Sequence, residues 1–130
     1  SKEDLPNYCY IPNLKIVEYC KSKKIPVICF PKGIKENYKE FNNVVKSDGL
    51  NLDYEIDPEW AKKNLKDVIL QGGLDPKTLF LTNEELKKCT TKYLSLFKET
   101  PYIFNLGHGL LPQTDPDKLK SLIKFYREYS

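Results

Sequence analysis

Few side chains in this sequence have both the type and the setting for chemistry, and the sharpest is His108. It is the single histidine of the chain and stands between two glycines in Asn105-Leu106-Gly107-His108-Gly109. Flanking glycines let a backbone bend tightly and approach a ligand, and an imidazole donates, accepts or carries a proton near neutral pH. The plainer alternative is a loop histidine bonded to nearby backbone. Asp53, closing Leu50-Asn51-Leu52-Asp53, is a candidate rim carboxylate that orients a base or a substrate group. Its plainer role is to accept hydrogen bonds from loop backbone. Lys32, in Pro31-Lys32-Gly33, either attracts an anion or is simply solvated. Gln71 reads as a strand-end cap, Asp75 before Pro76 as a helix cap, and Trp60 as packing. Gly72-Gly73 lacks the surroundings of a phosphate loop. Cys9, Cys20, Cys29 and Cys89 form no CxxC and no ligand spacing with His108, so they read as buried free thiols of a reducing compartment. No Ser-His-Asp set can be assembled, and no metal cluster is visible in the sequence.

These residues follow short apolar runs, and the runs define what must position them. Val27-Ile28-Cys29-Phe30, Leu50 to Tyr54, Val68-Ile69-Leu70 and Tyr102-Ile103-Phe104 read as strands, the second alternating apolar and polar. Helical patterns fill the gaps. Tyr38, Phe41 and Val45 share one face, as do Leu86, Cys89, Tyr93 and Leu96, and then Leu119, Leu122, Ile123 and Tyr126. Asp57-Pro58, Asp75-Pro76 and Asp115-Pro116 each supply an N-cap followed by proline, and Thr82 with Glu85 has capping-box spacing. An opening helix around Ile11 to Lys21 is expected to start near Pro12.

A helix followed by four strand–helix units argues for a parallel α/β sheet with right-handed crossovers. A complete (β/α)8 barrel needs about 250 residues, and this chain has 130. The expected architecture is therefore the C-terminal half of a (β/α)8 TIM barrel, four parallel strands alternating with helices, in a single segment 1–130. In such folds ligands meet the carboxyl ends of the strands, which is where Lys32, Asp53, Gln71 and His108 fall.

Composition narrows the partners. Hydrophobic residues make up 40% and charged residues 30%, an ordinary globular balance. The net charge of +3 is mild, and lysines are scattered among acids rather than clustered, which argues against nucleic acid. No apolar run reaches a membrane span, and the polar start Ser1-Lys2-Glu3-Asp4 is unlike a signal peptide, so a cytoplasmic protein is expected.

At these same strand ends the chain resembles the uroporphyrinogen decarboxylase family, nearly end to end. Leu5-Pro6-Asn7-Tyr8 is similar to the start of the helix entering the second half of that barrel. Ile25-Pro26-Val27-Ile28 with Phe30-Pro31-Lys32-Gly33 looks like the family's next strand and rim. Gly49-Leu50-Asn51-Leu52-Asp53-Tyr54 resembles its glycine-x-x-leucine-aspartate-tryptophan region, with Tyr54 where tryptophan is usual. Gln71-Gly72-Gly73-Leu74-Asp75-Pro76 resembles its QGNLDP segment, with Gly73 where asparagine is common. Asn105-Leu106-Gly107-His108-Gly109 is similar to the family's NLGHG, the most specific of these likenesses.

The resemblance implies a carboxy-lyase that removes carboxyl groups from the four acetate side chains of uroporphyrinogen, giving coproporphyrinogen in haem biosynthesis. It implies no metal and no organic cofactor, because a protonated pyrrole ring is its own electron sink. It implies a homodimer for the full-length enzyme, uroporphyrinogen as the anionic partner, and neither nucleic acid nor membrane. Of the family's substrate-contacting residues only the histidine carries over, onto His108, as a binding residue; Asp53 and Gln71 are expected behind it at the rim. The family's arginine-rich motif, the aspartate that meets the pyrrole nitrogens, the active-site tyrosine and the serine or threonine are not in this sequence, so the chain alone is expected to be inactive. Two other classes stay open. A corrinoid-dependent methyltransferase of the same fold would use zinc on histidine and cysteine, but Gly109 and Leu110 follow His108. A non-enzymatic half-barrel would serve as an interaction module.

Overall fold

The structure, a computed structural model, describes residues 1–129; the last residue of the expected segment, Ser130, lies outside them. The chain winds through a 3-10 turn, Lys2–Asp4, and a π turn, Pro6–Tyr10, into helix α1, Ile11–Ser22. Regular α geometry does begin beside Pro12, but the winding starts earlier. Pro12 has no N–H to give the carbonyl of Tyr8, and the N–H of Ile11 reaches back to the carbonyl of Pro6 instead.

Four strand–helix units follow. Strand β1 is Ile28–Cys29, α2 is Tyr38–Val45, β2 is Gly49–Leu52 and α3 is Pro58–Asn64. Strand β3, Ile69–Gly72, leads through a 3-10 turn, Pro76–Phe80, to α4, Asn83–Phe97. Strand β4, Tyr102–Ile103, precedes α5, Pro116–Tyr129. The sheet has the order β1-β2-β3-β4 and every pairing is parallel, as a half-barrel requires.

The helix starts use the chemistry their sequences carry. The Asp57 carboxylate accepts from the N–H of Glu59, that of Asp75 from Lys77, and that of Asp115 from Asp117. Thr82 and Glu85 close a reciprocal capping box.

Parallel register puts residues directly across from one another on the same face. Cys29, Leu50, Leu70 and Tyr102 form one row, under the helices. Ile28, Gly49 and Ile69 form a row on the opposite face, followed by Asn51, Gln71 and Ile103. The helix-covered side holds the main core, in which Leu50, Leu52 and Leu70 pack with Tyr38, Phe41 and Val45 of α2 and with Tyr10 and Val17. Trp60 packs at its edge, as its position after Asp57-Pro58 implies. Leu74, Leu79, Leu86, Leu106 and Leu122 form a second cluster between α4 and α5.

Burial refines the three faces read from the sequence and corrects the reading of the cysteines as buried thiols. The alternating Leu50-Asn51-Leu52-Asp53 is buried throughout, Asn51 and Asp53 included, because β2 is a central strand whose polar groups are used internally. On α4 the buried positions are Leu86, Thr90 and Phe97, with Cys89, Tyr93 and Leu96 only half-buried. On α5 only Leu122 is buried, while Ile123 and Tyr126 face the open side. Of the four free cysteines, Cys29 alone is buried, and its burial raises the thiol pKa, favouring the protonated form.

Candidate functional site

The site is assembled by loops at the carboxyl ends of β1, β2 and β4. In a flat sheet β1 and β4 would stand three strand spacings apart, about 14 Å. Here the side chains of the loops that follow β1 and β4 reach across that span and meet. Lys32 Nζ lies 2.8 Å from His108 Nε2, and the ring of Phe30 meets the imidazole edge-on at 6.3 Å between centroids. On the other side of the imidazole, the N–H of Gly109 approaches Nδ1 at 2.7 Å. His108 itself is exposed, at the mouth of the groove.

Each loop is pinned from behind. A side chain at Gly107 would place its Cβ 2.5 Å from the backbone nitrogen of Tyr54, so glycine is what lets the β4 loop lie against the end of β2. The N–H of Gly107 also donates to the carbonyl of Leu74, tying that loop to the end of β3. Asp53 is buried; its carboxylate accepts from the N–H of Gly33 at 3.0 Å and from Glu55 at 3.3 Å. It therefore does what the plainer reading describes, and in doing so it fixes the loop that carries Lys32. Gly33 has φ +79°, a left-handed conformation open to glycine at little cost.

Behind Asp53 stands a residue that sequence reading assigned only to packing. The Tyr38 hydroxyl accepts from the N–H of Asp53 at 3.0 Å and donates to the carbonyl of Asn51 at 3.1 Å, pinning the last turn of β2. Burial pushes the Tyr38 phenol well above its ordinary value, and the nearby Asp53 carboxylate adds to that.

Gln71 lies on the uncovered face, where its Nε2 donates to Asn51 Oδ1 at 2.9 Å. Asn51 Oδ1 in turn occupies the space a Cβ at Gly72 would need, 2.6 Å away. Gln71 is thus held by Asn51 rather than capping its strand end, and Asn51 is a site residue that the alternation pattern concealed. The two amides form the polar floor of a groove of about 910 Å³. Its walls are apolar: Ile28, Phe30 and Ile103 from the sheet, and Ile123 and Tyr126 from α5. Phe104 stacks on Tyr126 at 5.4 Å between centroids.

Among the described residues no group of three or more histidine, cysteine, aspartate or glutamate side chains converges as metal ligands. No helix among them is long and apolar enough to cross a membrane.

A parallel sheet covered by helices on one face, with an imidazole and an ammonium at the carboxyl ends of its strands, defines half of a (β/α)8-barrel. The profile of the family described as uroporphyrinogen decarboxylase (URO-D) matches residues 1–129. The chain belongs to the uroporphyrinogen decarboxylase family. It is 33% identical over 129 residues to a protein from Cereibacter sphaeroides named uroporphyrinogen decarboxylase, an alignment covering 96% of this chain and 38% of that one. Proteins of the same name from Rickettsia felis and from the Wolbachia of Brugia malayi are 38% and 39% identical, over 98% and 86% of this chain and 38% and 33% of theirs. The chain therefore spans a little over a third of the length of the curated relatives it matches.

Proposed function

We propose that this chain is the C-terminal half-barrel, segment 1–130, of an enzyme that decarboxylates the acetate side chains of uroporphyrinogen. The observation that carries the reading is the placement of His108. The imidazole stands at the strand-end rim, directly over an apolar groove with an amide floor, on a chain whose family is named for that reaction.

In this reading His108 binds a substrate carboxylate by donating from Nε2, while the Gly109 N–H orients the ring from Nδ1. Protonating a pyrrole carbon makes the ring an electron sink. The bond between the acetate methylene and its carboxylate then breaks, carbon dioxide leaves, and the electron pair enters the ring. A proton added at the methylene carbon gives a methyl group, and the ring proton is released. The net change consumes one proton and frees one carbon dioxide for each acetate. The groove's apolar walls exclude water around the charge that develops, which strengthens the electrostatic contacts made to it. Asp53 and Gln71 act at one remove, Asp53 by holding the Lys32 loop and Gln71 through Asn51. The same reading takes the full-length enzyme to be homodimeric and cytoplasmic, as the family resemblance implies.

The test is a decarboxylase assay on uroporphyrinogen, with this chain alone and with the complementary N-terminal half added. The expected result is activity only on complementation, lowered at least tenfold by His108→Asn without loss of assembly. No activity from a verified assembly of the two halves would overturn the reading and favour an interaction module, for which the open groove is the supporting observation.

A further inference from the structure

The contacts of His108 do not balance, and the imbalance has a chemical meaning. A neutral imidazole has one N–H and one lone pair. Yet donors approach both of its nitrogens: the Gly109 N–H at Nδ1, 2.7 Å, and the Lys32 ammonium at Nε2, 2.8 Å. If Nδ1 accepts from Gly109, the hydrogen sits on Nε2 and points at the ammonium. If Nε2 accepts from Lys32, the hydrogen sits on Nδ1 and faces the Gly109 N–H. Either tautomer leaves two donors aimed at each other. The arrangement is completed by an acceptor, and a negatively charged one suits the ammonium best.

We infer that Lys32 and His108 form a two-point carboxylate cradle, in which one anionic oxygen accepts from the Lys32 ammonium and from the His108 Nε2–H. The Gly109 N–H then keeps Nδ1, and no two donors are left facing each other. The surroundings fit. Beside the pair lies an alcove of about 170 Å³, lined by Lys32, Tyr54, Asp75, Lys77 and His108 among others. That is room for about five waters, or for one short carboxylate arm. The one acid facing the alcove, Asp75, already accepts from the N–H of Lys77 at 2.9 Å as a helix cap, and two ammonium groups stand against it. The buried Asp53 carboxylate clamps the loop of Lys32 through Gly33, so the lysine is placed by the fold even though its head group is exposed.

The cradle deepens the proposed decarboxylase reading, which supplies the identity of the anion. Because the chain has one histidine, the His108 ring protons can be followed alone by NMR. The intact chain is titrated with tricarballylate, with chloride used to match ionic strength. The native chain is expected to show saturable shifts of both ring protons. Lys32→Gln should weaken the affinity at least threefold, and Lys32→Arg should restore most of it. In the assembled two-half enzyme, Lys32→Gln should raise KM for uroporphyrinogen at least threefold with a smaller change in kcat. Absence of a saturable shift in the native chain, or an affinity and KM unchanged by Lys32→Gln, would overturn the cradle. The two proposals fail separately. Lys32-dependent tricarballylate binding without decarboxylation by the assembly leaves the cradle and removes the reaction. Decarboxylation with an unchanged KM in Lys32→Gln does the opposite.

Discussion

The two faces of the sheet carry the same kinds of side chain and live in different worlds. On the helix-covered face Leu50 and Leu52 are 0% and 1% exposed; on the other, Ile28, Ile69 and Ile103 are 45%, 42% and 44% exposed. Residue type does not explain the contrast, because each set is aliphatic. Position does: α1 to α4 close one face, while the uncovered face is the inner wall of a barrel whose other strands are not in this segment. Stability of the chain is thus concentrated on one side, and the groove lies on the other.

The sharpest way to break that comparison is to remove matched apolar groups from the two sides. Phe41→Ala deletes a fully buried ring that meets Tyr10 edge-on at 5.7 Å between centroids, and should cost about 3–5 kcal/mol in urea unfolding. Tyr38→Phe, also on the covered side, strands a buried N–H and a buried carbonyl. It should cost about 1–3 kcal/mol and loosen the Lys32 loop, seen as faster amide exchange at Gly33.

The covered side also predicts a direction with pH. Burial holds the Tyr38 phenol above its ordinary value of 10.0, and burial followed by the Glu40 carboxylate pushes Tyr10 up to about 12. Below pH 10 folded and unfolded chains both keep these protons. Above it the unfolded chain releases them while the fold retains them, so stability should fall as pH rises from 10 towards 12. A urea midpoint that stays flat across that window would show that these phenols are solvated. The smallest effect is expected on the open side. Ile69→Ala should change unfolding by about 1 kcal/mol or less while weakening assembly with the complementary half. A cost near that of Phe41→Ala would mean that the inner face is covered in solution.

How much of this was legible in the sequence follows the same divide. The four apolar runs became the four strands, and Asp57, Asp75, Asp115 and Thr82 cap the helices that follow them, because these signals act within a few residues. His108 lies in the loop after β4, where its place behind the fourth apolar run puts it, and the glycines on both sides are a local mark. What the sequence did not disclose is what depends on long range. Lys32 reads as a solvated lysine until the fold sets it beside a residue 76 positions away. Asn51 reads as the polar half of an alternating strand until Gln71 and Gly72 close around its amide. Tyr38 sits on the apolar stripe of α2, and nothing in that stripe says its hydroxyl pins the end of β2. The neighbour of Gly107 could not be foreseen either, although a glycine before the histidine was itself the available signal.

The outermost strands, β1 and β4, pair for only two residues each. A long, flat sheet border invites stray chains to add themselves and grow into fibres, and brevity is one of the ways proteins avoid it. With so little ladder on offer at either border, this half-barrel gives stray chains little to add themselves to. Capture of the complementary half then depends on filling the curved interior, a shape few unrelated proteins would match.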